Sequence, residues 1–236
     1  MTTSGTTIFD PAFTDAIEEA WERASGTDSG MPRTGYEMRS ARRSINLLLS
    51  DWSNRGINLW TIEERSQALT EADGTYVLGT DIVDVIEQVV QLTGSSPTQR
   101  YAMTRVSITT QATRTNPTTQ GRPTEVWYDR GQASVTANIW PLPDATGSYT
   151  MYYWVLRRMD DAGAYTNTAD VPFRFLPAFI AGLAFYIAQK KQPDNAILLQ
   201  RLEADYEKTW ERAASEDRKK ATLSIVPRSS SYRVNG

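Results

Sequence analysis

The feature that most constrains this chain is a run of residues without charge, from Leu176 to Ala188. A helix of this composition has no ordinary polar face to turn toward water. Its 13 residues fall well short of the roughly 20 apolar residues that a membrane-spanning helix needs. Protein must therefore cover this helix, either the core of the same subunit or a neighbouring subunit.

The composition removes several kinds of chemistry. The 236 residues contain no cysteine and no histidine, which excludes disulfides, thiolate nucleophiles, Cys/His zinc sites and histidine proton transfer. Paired carboxylates, Ser/Lys arrangements and carboxylate-bound magnesium or calcium remain chemically possible. The segment Met1–Phe9 has no basic residue and no apolar run, so we expect no secretory signal there.

Charge is unevenly distributed along the chain. Residues 1–92 carry a net charge of -8, and residues 93–236 carry +5. This polarity could supply complementary faces for assembly, or could be no more than solvated surface.

Helical patterns lie toward both ends of the chain. Asp10-Pro11 is a typical helix start, a second helix carries an apolar stripe from Met38 to Trp52, and a last helix runs from Asn195 to about Lys220. We expect Asp170 to cap the apolar helix, although Pro177 sits awkwardly close to its start.

The middle of the chain has the patterns of strands. Its β-branched and aromatic runs are Leu59–Leu69, Tyr76–Leu78, Arg100–Val106, Glu125–Arg130, Ser134–Trp140 and Tyr149–Arg157. The apolar residues of Asp81–Leu92 fit the spacing of a helix and that of a strand equally well, and we favour a short turn followed by a strand. The last three runs predict an antiparallel meander.

These elements predict an α+β protein. Residues 1–57 and 172–221 would form a bundle of N- and C-terminal helices, from which residues 58–171 emerge as a central antiparallel β-rich insertion. Residues 222–236 would be an extended C-terminal arm.

Possible catalytic residues are few. The pairs Glu18-Glu19 and Glu63-Glu64 are adjacent in sequence and point in different directions, whereas Asp160-Asp161 could converge with Asp170 in a loop. Glycosidases need two carboxyls on opposite sides of a bond, and no spacing here shows that. Turn and capping roles explain these residues as well.

Basic residues occur in short groups, each at the end of an element. They are Arg157-Arg158, Lys190-Lys191 and Arg218-Lys219-Lys220, and cations are favourable at helix C-termini. A pI near 5.2 argues against a dedicated DNA-binding protein. It does not argue against a protein past which DNA slides.

A pattern of short blocks resembles the head-to-tail adaptor proteins of tailed bacteriophages, especially short-tailed ones. The blocks cover most of residues 36–190, and they are Arg39–Trp60, Gly121-Arg122-Pro123, Trp140–Asp144, Tyr152–Arg158, Asp161-Ala162-Gly163, Tyr165–Thr168 and Asp170–Pro177.

The resemblance implies a non-enzymatic virion protein without cofactor or metal. It would form a ring, usually of about twelve copies, beneath the portal at the head–tail junction after assembly in the host cytoplasm. The ring would extend the DNA channel, touch the passing genome and hold tail or nozzle proteins, without contact to a membrane. The resemblance implies that the arm grips the portal, through Arg228, Tyr232 and Arg233.

The apolar helix would suit a subunit contact in such a ring, with Phe179, Ile180, Leu183 and Tyr186 as its interface residues. Two other functions remain open. One is a cell-wall glycosidase that uses Asp160 or Asp161. The other is a β-rich carbohydrate- or protein-binding module built on the aromatic residues Trp127-Tyr128 and Tyr152–Trp154, which alternating burial explains at least as well.

Overall fold

A computed structural model describes residues 9–25, 33–55, 59–93, 98–145 and 147–220. In these ranges the protein has both helices and two β-sheets, so the α+β prediction is confirmed. The chain divides into two compact units: a helical unit of Met1–Ser44 with Pro172–Gly236, and a β unit of Ile45–Val171. The division of the chain into functional domains stays a prediction.

The described residues contain five α-helices and two 3₁₀ turns. The helices are α1 (Phe13–Ser25), α2 (Gly35–Asn54), α3 (Ile108–Ala112), α4 (Leu176–Lys191) and α5 (Ala196–Lys220), and the 3₁₀ turns are Leu59–Thr61 and Phe173–Phe175.

Helix α4, which carries no charge before Lys190, is the centre of the helical unit. It packs against α1 on one side and α5 on another. The rings of Phe13 in α1 and Phe179 in α4 lie 6.4 Å apart, and the rings of Phe175 and Trp210 meet edge to face at 5.4 Å. The core of the same subunit therefore covers most of α4.

The start of α2 carries a signal that the apolar periodicity alone does not show. Thr34 and Glu37 form a capping box: the Glu37 carboxylate accepts the N–H of Thr34 at 3.1 Å, and the Thr34 hydroxyl accepts the N–H of Glu37 at 3.3 Å. These two bonds satisfy donors that a helix N-terminus leaves without partners. The helix therefore begins at Gly35, before its first buried apolar residue.

Two predicted helix starts are wrong in detail. The first helix begins at Phe13 rather than at Pro11, with the N–H of Ala16 donating to the carbonyl of Ala12. Asp170 does not cap α4, because its carboxylate binds Arg157 and a 3₁₀ turn precedes the helix. Pro177 occupies the first turn of α4, where a missing N–H costs no helical hydrogen bond.

The β unit contains two four-stranded sheets. The first has the order β1-β8-β3-β4, and the second has the order β2-β7-β6-β5. The strands are β1 (Ile62–Leu69), β2 (Thr75–Gly79), β3 (Ile82–Thr93), β4 (Gln99–Ala102), β5 (Thr104–Arg105), β6 (Glu125–Arg130), β7 (Val135–Trp140) and β8 (Ser148–Arg157).

One apolar core joins the two sheets into a sandwich. Along β8, burial alternates from Tyr149 to Val155, and along β7 it alternates from Val135 to Ile139. Side chains of both sheets form a single buried cluster, which includes Val90, Val126, Ala137 and Met151. The alternation of apolar residues at every second position of the sequence therefore identifies the inner face of each sheet.

The predicted meander is only half correct. β6 and β7 pair antiparallel, but β8 lies in the other sheet, between β1 and β3. The connection from β7 to β8 contains Pro141 and Pro143, which cannot donate hydrogen bonds to a ladder. Asp81–Leu92 forms a strand as we favoured, and the pairing of β5 with β6 is parallel.

The threonine-rich segment after β5 is not wholly irregular, because it contains the short helix α3. Ser107 caps α3 by accepting the N–H of Thr110 at 3.2 Å. The following Arg114 stacks over the ring of Trp140 at 4.8 Å and pairs with Glu125 at 2.7 Å. Its guanidinium therefore attaches this segment to the second sheet.

Candidate assembly site

The four residues of α4 that we predicted to contact a neighbouring subunit divide into two groups. Phe179 and Leu183 are 1% and 0% exposed, so they belong to the core of the helical unit. Ile180 and Tyr186 are half-buried and keep part of their surface accessible. A contact with a neighbouring subunit would therefore use Ile180 and Tyr186 rather than the other two.

An apolar groove of about 550 Å³ runs beside Ile180 on the surface of the helical unit. Its apolar lining consists of Phe9, Pro11, Ala16, Phe173, Leu176, Pro177 and Ile180. Two of these side chains, Phe9 and Phe173, are 72% and 76% exposed. Large aromatic side chains exposed side by side are typical of a surface that binds another protein.

Charged side chains form one edge of this groove. Asp15, Glu19 and Arg23 of α1 line it together with the apolar residues. Glu19 and Arg23 pair with each other at 2.8 Å, whereas Asp15 has no ion-pair partner among the described residues. The groove therefore combines an apolar floor with a net negative edge.

The C-terminal arm that we expect to grip the portal, with Arg228, Tyr232 and Arg233, lies outside the described residues.

The two lysines at the end of α4 bind α2. Lys190 donates to the hydroxyl of Ser44 at 2.7 Å, and burial together with the charge of Arg43 lowers its pKa. Lys191 pairs with Glu37 at 2.9 Å. This hydrogen bond, with the N–H of Thr34, lowers the pKa of Glu37 to about 2. Lys190 and Lys191 therefore have a structural role inside the helical unit.

Two of the candidate catalytic carboxylates of the β unit, Glu63 and Asp170, belong to a chain of ion pairs. Arg157, at the end of β8, binds Asp170 and also Glu63, the latter at 2.6 Å. Arg65 continues the chain, because it contacts both Glu63 and Asp81. These contacts raise the pKa of both guanidinium groups.

Asp170 closes the loop that follows β8. Its carboxylate accepts hydrogen bonds from the guanidinium of Arg157 and from the backbone N–H of Asp160, the latter at 3.1 Å. Burial raises the pKa of Asp170, but the hydrogen bond of Arg157 and that of the Asp160 N–H outweigh it and leave the pKa below its ordinary value. Asp170 is therefore charged and fully engaged in holding the loop.

The other two aspartates of this loop are exposed. The Asp161 carboxylate accepts the N–H of Gly163 at 3.0 Å, a turn contact, and the N–H of Ala162 donates to Asn46 at 2.9 Å. Within the part of the chain that the structure describes, no group of acidic side chains is arranged to hold a metal ion. The geometry assigns the Asp161 carboxylate to a turn of the loop.

The aromatic residues of the β unit point to opposite sides of the sheets. Tyr128 and Tyr153 are buried in the sandwich core, and burial raises the pKa of both hydroxyls. Trp127, Tyr152 and Trp154 lie on the outer faces and are half-buried. Arg100 stacks over the ring of Tyr152 at 4.4 Å, so this ring is partly covered by its own chain.

A family model describes almost the whole chain. The model for the SU10 adaptor protein matches residues 11–231, which include both the helical and the β unit. The chain belongs to the SU10 adaptor protein family. This confirms the resemblance to phage head-to-tail adaptors that the short sequence blocks indicated. No curated protein matches the chain.

Membership of an adaptor family bears on how the surface of this protein is interpreted. The family suggests a virion component that interacts with phage portal and tail proteins. None of the helices in the described ranges is long and apolar enough to cross a membrane. Sequence reasoning had identified Ile180 but missed Phe9 and Phe173, because an isolated phenylalanine carries no signal of exposure.

Two adjacent substitutions in α4 separate its core face from its groove face. Ala181 is 1% exposed, so we expect Ala181→Glu to bury a charge without a partner and to unfold the helical unit. Ile180→Glu places the same carboxylate at the groove, and we expect the fold to survive with a smaller loss of stability. Thermal denaturation followed by circular dichroism would compare the two. Equal loss of helix in both variants would contradict this orientation of α4.

The ion pair of Asp170 predicts a pH dependence of stability. We expect Asp170→Asn to lower the free energy of unfolding at pH 7 by about 2 kcal/mol, because Arg157 loses a charged partner. The folded-state pKa of Asp170 is lowered, so the stabilisation is present above its ordinary pKa of 3.8 and is lost as the pH falls through the folded value. Urea titrations at neutral and acidic pH would measure both effects. The exposed neighbour variant Asp160→Asn is the control, and an equal loss in both would contradict the assignment.

Proposed function

We propose that this protein is a head-to-tail adaptor subunit that forms a ring beneath the portal of a phage virion. The ring, of about twelve copies, would extend the DNA channel and provide the attachment site for tail or nozzle proteins. The observation that carries the proposal is the match of the adaptor family model over residues 11–231. Within the family, this is the role that a connector between portal and tail performs.

Features of the helical unit support a role in assembly. A central helix without charge before its last turn gives the unit an apolar core, and an apolar groove with exposed phenylalanines remains open on its surface. We propose that the N- and C-terminal helices form the bundle that docks in the ring and that the β sandwich is an insertion with its own core. The carboxylates of Asp161 and Asp170 are engaged structurally in the loop after β8, which supports a non-enzymatic role.

The experiment that tests the proposal is a mass measurement with and without the portal protein of the same phage. We expect a closed oligomer, either of the protein alone or on the portal ring, visible by electron microscopy as an added layer. Sedimentation velocity would give the stoichiometry. A protein that stays monomeric in both conditions and does not bind portal rings would contradict the proposal.

The arm gives a second prediction. We expect deletion of Thr222–Gly236 to leave the fold intact and to weaken attachment to the portal, because two of its residues are basic and none is acidic. Cosedimentation with portal rings would measure attachment, and circular dichroism would check the fold. Arg228→Ala with Tyr232→Ala and Arg233→Ala in the full chain is the milder variant. Unchanged attachment in both would refute the role of the arm.

A further inference from the structure

One face of α2 in the helical unit has the composition of an interface. Tyr36, Arg39 and Arg43 follow at intervals of three and four residues, so they share one side of the helix. Tyr36 is 64% exposed, and both arginines are exposed. Tyrosine and arginine are the residue types most enriched where proteins bind each other.

The two arginines of this face lack a partner. Neither Arg39 nor Arg43 forms an ion pair with any part of the chain that the structure describes. Other exposed arginines do pair, as Arg23 does with Glu19 and Arg130 with Asp84. Lys190 lies close enough to Arg43 for the two positive charges to repel each other, so it does not compensate the charge of Arg43. This face of α2 therefore carries uncompensated positive charge.

The opposite composition occurs on α1 of the same unit. Its outer face, away from the buried stripe that includes Ile17 and Ala20, carries Asp15, Glu18, Glu19 and Glu22. Glu19 pairs with Arg23, but Asp15, Glu18 and Glu22 have no ion-pair partner among the described residues. This face of α1 therefore carries uncompensated negative charge.

The acidic face of α1 adjoins the apolar groove. Asp15 and Glu19 line the groove whose floor includes Phe173 and Ile180. An exposed aromatic ring would fill the apolar groove, and arginines one and two turns away on the same helix would pair with the acidic side chains beside it. Tyr36, Arg39 and Arg43 have that arrangement on α2.

We propose that the α2 face of one copy of this chain binds the α1 face and groove of the next copy. Tyr36 enters the groove, and Arg39 and Arg43 pair with Asp15, Glu18 and Glu22 of the neighbour. The inference rests on the proposed ring and names the two surfaces that build it. A head-to-tail ring needs two different and complementary patches on each subunit, and these two faces meet that requirement.

A polyanion such as DNA is the other occupant that the α2 face could attract. It would leave the acidic face and the groove of α1 unexplained, because phosphates are repelled by carboxylates. Contact between copies explains both faces together.

Charge reversal tests the pairing directly. Arg39→Glu with Arg43→Glu makes both faces acidic, and Glu18→Arg with Glu22→Arg makes both faces basic. We expect either variant alone to associate at least about tenfold more weakly than the wild type, because like charges now face each other. An equimolar mixture should assemble again in alternating order, since each reversed face then meets the reversed face of the other variant and each unreversed face meets an unreversed one. Lys208→Glu with Arg212→Glu, on the exposed side of α5, is the matched control and should assemble normally.

A second variant separates the aromatic contact from charge. We expect Tyr36→Ala to weaken association by roughly tenfold without changing net charge. Sedimentation velocity, with portal rings added if the wild type assembles only there, would measure all variants, and circular dichroism would verify their folds.

The possible outcomes are distinct. Loss of assembly in each reversed variant and its recovery in the mixture would establish the contact. Rings that form normally from the reversed variants would overturn this inference and leave the proposed function intact. Normal rings with weaker DNA retention in Arg39→Glu with Arg43→Glu would assign the α2 face to DNA instead. A wild type that forms no oligomer and ignores the portal would overturn the proposed function itself.

Discussion

The structure of the helical unit depends on the burial of one helix that contains no charge before its last turn. Helix α4 exposes so little polar surface that it must be covered, and α1 and α5 cover it, with Phe13 of α1 against Phe179 and Trp210 of α5 against Phe175 just before the helix. Burial of apolar area is the main favourable contribution to such a core. The side of α4 at Ile180 borders a groove, and its apolar surface there remains accessible.

The β unit depends on a different constraint, the alternation of side chains across two sheets. Buried residues at every second position of β7 and β8 define an inner face, and a slip of one residue would turn that face to solvent. At one end of β8, the ion pairs of Arg157 hold the following loop by Asp170 and hold β1 by Glu63. The charges that first suggested chemistry in this loop therefore serve to fix its path.

The adaptor family match includes both units, but it does not identify which residues perform the adaptor function. Residues outside the cores are then the ones that can bind portal, tail or neighbouring copies. In the part of the chain that the structure describes, the side chains that remain available include Arg39 and Arg43 of α2, the unpaired carboxylates of α1, and the exposed Phe9 and Phe173. In a protein that works by assembly, such residues are better candidates for function than the carboxylates that hold the loop after β8.

The sequence by itself determined the class of the fold, because helical and strand periods are local properties of the chain. It located α4, α5 and the strands β3, β6, β7 and β8, and the uncharged composition of α4 required that protein cover it. It misplaced the partner of β8, since the choice of sheet is decided by the core that both sheets share and not by adjacency along the chain.

Only the tertiary structure decided which side chains remain accessible. Asp170 satisfied the pattern of a helix cap, but an arginine 13 positions earlier in the chain provides the stronger partner. Phe179 and Ile180 are adjacent apolar residues in the sequence, yet one is in the core and the other borders the groove. Exposure and pairing depend on contacts between distant segments, and local sequence carries no record of them.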